Sequence, residues 1–582
     1  MLKYRACRLA YHVLTLVMAG AIALSAGCGK EILNGSDTPS GPVSQPTAAG
    51  PDPNAVLNVR KMAADAASYA ITYGALDAAA IETLKTYPLV IVHPYNGDIT
   101  RSQIMQIKQG VKPNDHTDNT VVLCYISIGE DSRTFGLTDA QMLADSRFVG
   151  SGTGPVIDPR GAGAADTSLL GIDPQGTPTG GGYASYYLND NAVRCKGAPD
   201  GKPDNNPNFK TRFVNAGNPE WYRVVSDMMM DTNTHTPPGL KEMMTNSHGR
   251  GLGCDGVFLD TIDTAAPNIY TGNICSDSIN STNSEWTAQG FTNFIKRLRS
   301  EYQDKVILQN RGLFYFDPRF PHYEVSARGT IDIGFFESYY LDNNADSVVS
   351  PYFPDNKYNI APKLMAEANR PDGFKVLSLG YANGLNNVAK PGIDIRTLLG
   401  QSILGFDTLT TDLKEAQEVG FHHYITSASV DFINPFVKNN TSLIDTTAPK
   451  WSSVYNANYD PPLPQTSRVG IRTAVATAPG SVTLSWDVAL DMNRVSYLLY
   501  YQTTATPFDF AKAARLVLTP SVGSGYDKVW SSAIPSQALS GVYPYQQTIT
   551  GLQPGAGYHF VIRAVDAAGN EDTNTDFIEV TL

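Results

Sequence analysis

Eight short, almost uninterrupted apolar runs between Ser68 and Ser427 constrain the fold of this chain more than any other feature. They are SYAITYG (from Ser68), PLVIVHPY (Pro88), TVVLCYISIGE (Thr120), DGVFLD (Asp255), KVILQN (Lys305), IDIGFFES (Ile331), KVLSLGY (Lys375) and FHHYITS (Phe421). Strands apolar on both faces are the mark of a parallel sheet covered on both sides. Amphipathic stretches lie between them, such as SEWTAQGFTNFIKRLRSEY (Ser284–Tyr302) and IRTLLGQSIL (Ile395–Leu404). Eight strand–helix units over residues 58–450 are the expectation for an α/β chain closed into a (β/α)8 TIM barrel with insertions. A doubly wound open sheet is the alternative, but no GxGxxG follows the first run. The largest insertion, residues 131–218, is rich in Gly, Asn, Asp and Tyr and follows the third strand.

With 582 residues there is chain left over on either side of a barrel. At the N-terminus, Lys3, Arg5 and Arg8 precede VLTLVMAGAIAL, and LSAGC ends at Cys28. A basic start and a short apolar run read as a signal peptide over residues 1–28. LSAGC resembles the bacterial lipobox, with Ser25 where leucine is usual, and the resemblance implies lipidation of Cys28. An ordinary cleaved signal with a chance cysteine is the alternative; both export the protein. Residues 29–57 are rich in Gly, Ser, Thr and Pro without an apolar period, as a flexible tether is. The expected location is the bacterial cell envelope, lipid-anchored at the outer membrane or cell surface, or the medium.

Past a linker at 451–466 the pattern alternates apolar and polar residues, so residues 467–582 are expected to form an all-β sandwich. LQPGAGYHFVIRAVDAAGN (Leu552–Asn570) resembles the end of a fibronectin type III domain, with Tyr558 as its tyrosine corner and Trp486 as its core tryptophan. No chemistry is visible in this part.

Charge and cysteines narrow the function. A net charge of −12 argues against nucleic acid as a partner. Cys124 sits in an apolar run and reads as a buried free thiol; Cys195 and Cys275 fall in polar loops where an oxidising compartment allows a disulfide, and spacing does not fix the pairing of these with Cys254. No CxxC or Cys/His array points to zinc, and no metal or cofactor is expected.

Three of the proposed strands end on an acid: Glu130 in YISIGE, Asp260 in DGVFLD and Glu337 in GFFES. A fourth ends on Asn310. An unpaired terminal carboxylate costs a buried strand stability, whereas the C-terminal rim of a barrel is where its catalytic groups lie. Two facing carboxylates without metal ligands or a Ser/His pair suggest glycoside hydrolysis. VVLCYISIGEDSRT, NPEWYRVV, GCDGVFLDTID and GFFES together resemble the endo-α-1,4-polygalactosaminidases, glycoside hydrolase family 114 and its relatives. The resemblance implies hydrolysis of an α-1,4-linked, galactosamine-containing exopolysaccharide. Asp260 would be the nucleophile and Glu337 the acid/base. Glu130 would contact substrate or set a pKa, and Asp263 would support the site or meet a sugar hydroxyl. Asp255 reads as structural. His93 stands where relatives tend to carry an acid, which would either alter sugar recognition or make it a hydrogen-bonded rim residue. Tyr125, Tyr339 and Tyr340 are candidates for stacking on sugar rings, with core packing the competing role. A non-catalytic glycan-binding envelope lipoprotein is the rival reading, and a structural surface protein a weaker one.

Overall fold

A computed structural model describes residues 58–159, 175–189, 200–206, 209–267, 284–342, 349–370, 372–381, 404–434, 448–451, 469–487, 489–491, 495–519, 521–522, 545–566 and 568–582. All eight apolar runs are strands: β1 Ala70–Thr72, β2 Leu89–Val92, β3 Val121–Ser127, β4 Gly256–Asp260, β5 Val306–Asn310, β6 Ile333–Glu337, β7 Lys375–Tyr381 and β8 His422–Thr426. They form one parallel sheet in chain order. The sheet curls nearly into a barrel: the Tyr73 N–H donates to the Val430 carbonyl beyond β8 at 2.6 Å, and the Tyr69 and Tyr424 rings meet at 5.5 Å. Helices cover it at Ala78–Leu84, Arg101–Lys108, Pro219–Asp227, Ala288–Glu301, Ala361–Ala368 and Leu404–Glu418. β5 and β6 are joined instead by 3-10 turns, Leu313–Phe316 and Pro321–Val325.

The sequence explains how β4 is seated. Asp255, just before it, accepts from the Val122 N–H at 3.0 Å and pairs with Lys108 at 2.8 Å, both side chains being buried. Gly256 comes next because a Cβ there would lie 2.1 Å from the Val306 carbonyl oxygen. Val257, Phe258 and Leu259 are buried, and Asp260 stands partly buried at the far end. In NPEWYRVV, Asn218 caps the helix through the Glu220 N–H, Pro219 occupies its first turn, and Trp221 donates to the Ile128 carbonyl at 2.8 Å. The block therefore pins the turn after β3 and brings no reactive group to it.

Cys124, expected as a free thiol, is bonded to Cys254 across a sequence separation of 130 residues. The register places β3 and β4 side by side, Cys124 opposite Val257, so the two cysteines meet once the barrel forms. Cys195 and Cys275 lie outside the described residues, as do the signal, Cys28, the tether and nearly all of the Ile395–Leu404 stretch. Among the described residues no helix is long and apolar enough to cross a membrane.

The C-terminal part is a sandwich of two antiparallel sheets. One orders Ile471–Ala478, Ser481–Trp486, Tyr545–Ile549 and Ser521–Val522; the other Ala514–Leu518, Ser496–Thr503, Gly557–Val565 and Ile578–Thr581. Trp486 is fully buried against Tyr497 and Tyr545, and the Tyr558 hydroxyl accepts from the Gln553 N–H at 3.1 Å, as a tyrosine corner does. Trp451, at the first position of the expected linker, is buried in this core and donates to Asp572. Ala366 of the barrel helix Ala361–Ala368 joins the same core, and the Tyr545 hydroxyl donates to the Asn369 carbonyl.

Candidate active site

Asp260, Asn310 and Glu337 close three successive strands, and the structure brings their side chains together. The Asn310 Nδ2 donates to Asp260 Oδ1 at 2.7 Å and to Glu337 Oε2 at 3.0 Å. With two carboxylates on one side, only the amide nitrogen can face them, so the rotamer of Asn310 is set by charge. Its Oδ1 is buried and has no hydrogen-bond partner among the described residues. Tyr125, from β3, donates to Asp260 Oδ2 at 2.6 Å, and Tyr381, the last residue of β7, donates to Glu337 Oε1.

A repeated backbone device sits directly behind these side chains. The residue after each strand end is left-handed: Thr261 at φ 62°, Arg311 at 55° and Ser338 at 58°. None is glycine, and for a β-branched threonine this conformation is strained. The turn ends the strand abruptly and leaves its last side chain at the barrel mouth. Thr261 is held there by its hydroxyl, which accepts from the Gly129 N–H at 2.8 Å and meets Ser127 Oγ at 2.7 Å.

Both carboxyls are pushed above the ordinary range, by burial first in each case. Asp260 is pulled back by Tyr125, the Thr261 N–H and Asn310. Glu337 is driven further up by the charge of Asp260, against the donors Asn310 and Tyr381 and the Arg311 cation. Asp263 adds its charge to the rise at Asp260 but hydrogen-bonds elsewhere. Its oxygens accept from Arg311 Nε at 2.7 Å and from the Gly312 N–H at 2.9 Å.

Glu130 departs from the expected strand end. β3 stops at Ser127, and Glu130 opens a two-residue strand paired with Arg212–Phe213 of the insertion. Gly129 lets the chain pass this close to the end of β4, since a Cβ there would meet the Thr261 carbonyl oxygen at 2.0 Å. Both carboxylate oxygens of Glu130 are taken by the insertion, one by Asn206 and the other by Thr211. Burial raises its pKa to about 7, with the Asp260 charge adding to the rise.

His93 stacks on Tyr125 with centroids 4.3 Å apart and 21° between planes, and burial lowers its pKa to about 3, so it is neutral. Tyr125 is thus packed between His93, Phe258 and Tyr73 and spends its hydroxyl on Asp260. Tyr339 is fully buried against Phe336, Phe353 and Phe421, which removes it as a sugar-stacking platform. Tyr340 remains half-buried, edge-on to Phe353.

Arg311 and Tyr381 are site residues that sequence reasoning does not single out. Tyr381 carried a usable signal, because it ends KVLSLGY as Asp260 ends DGVFLD. The structure also contains a Ser/His/Asp trio that the sequence did not disclose: Ser378 Oγ to His423 Nδ1 at 2.8 Å, and His423 Nε2 to Asp412 Oδ2 at 2.9 Å. It is wholly buried between β7, β8 and the helix Leu404–Glu418, out of reach of a substrate. Among the described residues no cluster of His, Cys, Asp or Glu could hold a metal ion.

No protein-family model and no curated protein matches the chain. Among solved structures it is similar to the glycoside hydrolase domain of PelA from Pseudomonas aeruginosa, at 14% identity and a TM-score of 0.34, over 63% of this chain and 96% of that one. It is also similar to the FN5 domain of Drosophila Lar, at 16% identity and a TM-score of 0.13, over 20% of this chain and 91% of that one.

Proposed function

We propose that the chain is an exported glycoside hydrolase that cleaves a galactosamine-containing exopolysaccharide at α-1,4 linkages, with Asp260 as nucleophile and Glu337 as acid and base. The Asn310 nitrogen shared by the two carboxylates carries this reading. Oxygens 2.7 and 3.0 Å from one atom lie no more than 5.7 Å apart. That fits the gap of about 5–5.5 Å at which one carboxylate attacks the anomeric carbon itself; roughly 6.5–9.5 Å would be needed to seat a water between them. The expected outcome is retention of anomeric configuration.

Both carboxyls are raised by burial, and Glu337 also by the Asp260 charge; in this reading Asp260, with three hydrogen-bond donors, carries the charge and Glu337 keeps the proton. In the first step Asp260 Oδ bonds to the anomeric carbon as the glycosidic C–O bond breaks, and the Glu337 proton goes to the departing sugar oxygen. In the second, Glu337, now a carboxylate, takes a proton from water. The resulting hydroxide displaces Asp260 from the sugar. The acids at this mouth and the net charge of −12 favour a cationic amino sugar. The Cys124–Cys254 disulfide supports an oxidising compartment, in line with the leader, and Cys28 is the proposed lipid attachment.

The test is to incubate residues 57–582 with α-1,4-galactosaminoglycan and a panel of other exopolysaccharides and to measure new reducing ends, with Asp260→Asn and Glu337→Gln beside the parent. Release that disappears in both variants is expected. Tight binding without release from any glycan would replace the enzyme reading by the glycan-binding one.

A further inference from the structure

The two-carboxylate cycle makes no use of the most conspicuous cation at the barrel mouth. Arg311 follows Asn310 in the left-handed conformation, and it grips β6 twice. Its backbone N–H donates to the Phe335 carbonyl at 3.0 Å, and its Nη1 donates to the Glu337 carbonyl at 3.2 Å. On its other edge Nε donates to Asp263 at 2.7 Å, and Asp263 is itself fastened by the Gly312 N–H. The guanidinium is only 16% exposed. One side chain thus ties the turn after β4, the turn after β5 and the last residue of β6.

We propose that the Asp263–Arg311 ion pair is a positioning device for Glu337: it fixes the end of β6 and places one compensated positive charge beside the acid/base, without touching substrate. The proposal rests on the reading of Glu337 given above. The groups facing Glu337 are Asp260 from β4, Tyr381 from β7, Tyr69 and Tyr73 from either end of β1, and Arg311 from the end of β5. Arg311 in turn faces Asp263, Glu337 and Asp342. Of these groups Arg311 alone is cationic. Its charge opposes burial and Asp260, both of which favour the protonated acid. Asp263 offsets part of that charge. The pair therefore sets how readily Glu337 gives up its proton and how readily it takes one back.

The sign of the effect differs at the two ends of the pair, and this separates tuning from simple support. In Arg311→Met, Glu337 loses its cation and holds its proton to higher pH, so the basic limb of kcat/KM moves up. In Asp263→Asn, Arg311 loses its counter-charge and acts more strongly on Glu337, so the same limb moves down. Arg311→Lys keeps a charge and leaves the limb near its parental place. A second readout uses the leaving group. On the galactosaminoglycan, which needs a proton donor, Arg311→Met is expected to lose on the order of 100-fold in kcat/KM. On a 2,4-dinitrophenyl α-galactosaminide, which does not, the loss should stay within about threefold.

Equal losses on both substrates, or limbs that stay put in both variants, would overturn the proposal. Should Arg311→Met fail to fold by its melting curve, Asp263→Asn and Arg311→Lys decide it by the direction of the limb. Glu337→Gln separates this from the underlying reading: if that variant cleaves glycan like the parent, the glycosidase assignment of Glu337 has failed, whatever Arg311 does.

Discussion

Replacing Asn310 by alanine is the sharpest test of the paired carboxylates, because one nitrogen serves both. In the proposed cycle the resting charge is on Asp260, 2.7 Å from Nδ2. Once the glycosyl–enzyme forms, Asp260 is an ester and the charge has passed to Glu337, 3.0 Å from the same nitrogen. The amide follows the charge and works in both halves of the cycle. A hydrogen bond to a charged group is worth about 1.5–3 kcal/mol, so Asn310→Ala should lower kcat/KM by roughly 10- to 150-fold.

The pH profile makes the test specific. Asn310 holds down the pKa of both carboxyls, so its loss raises both. Asp260 must be ionised to attack, and the acid limb therefore moves to higher pH. Glu337 must be protonated to donate, and the basic limb moves the same way. The whole bell is translated upward rather than narrowed. The fold should survive, since the substitution also removes the buried, unpartnered Asn310 Oδ1. Initial rates on the galactosaminoglycan from pH 4 to about pH 9, with a melting curve as control, decide it. A kcat/KM within about twofold of the parent, or limbs that move apart, would refute the shared-donor argument.

Three further outcomes concern stability. Glu130 has a folded pKa of about 7 against the ordinary glutamate value of 4.5, so its contribution is full below about pH 4.5 and is lost as pH rises through about 7. Glu130→Gln should flatten that part of the urea midpoint's pH dependence, worth on the order of 3 kcal/mol, and an unchanged slope would refute the argument. Replacing both Cys124 and Cys254 by alanine reopens a loop spanning a 130-residue separation and should cost about 5 kcal/mol by chain entropy; an unchanged urea midpoint would count against it. Gly256→Ala forces a Cβ to 2.1 Å from the Val306 carbonyl oxygen and should destabilise by about 1–3 kcal/mol, with lower activity because Asp260 rides on the same strand. A melting temperature equal to the parent's would show that β4 and β5 can part there.

The strands were legible because a sheet covered on both faces writes itself as unbroken apolar runs, and Asp260, Asn310 and Glu337 were legible because they interrupt those runs at one end. What failed was whatever depends on partners distant in sequence. YISIGE reads as strand through Glu130, yet Gly129 is pressed against the Thr261 carbonyl and the strand ends at Ser127. Cys124 reads as a thiol until β3 and β4 are known to be neighbours. For Tyr339 the sequence leaves sugar stacking and core packing both open, and the left-handed Ser338 just before it turns the chain so that its ring meets Phe336, Phe353 and Phe421. Arg311 gave no signal, because nothing in RGLF marks a left-handed arginine.

Asp255 and Asp260 stand at the two ends of one strand, and the company they keep decides what each can do. Asp255 meets Lys108 where neither is exposed, and Asp131 and Asp317 likewise have arginines at 2.7 Å or less. Such carboxylates are engaged in short ion pairs and serve the fold. Asp260 and Glu337 receive direct hydrogen bonds from neutral donors, Tyr125, Asn310 and Tyr381. The cation nearest them, Arg311, is bound to a backbone carbonyl rather than to either carboxylate. Neutral donors orient an acid without fixing its protonation, and an acid/base must change protonation twice in every turnover. Glu130, held by Asn206 and Thr211, meets the same criterion. Its charge is coupled to that of Asp260, which makes it a further carboxyl at this end of the barrel held by neutral donors, and the insertion supplies both of them.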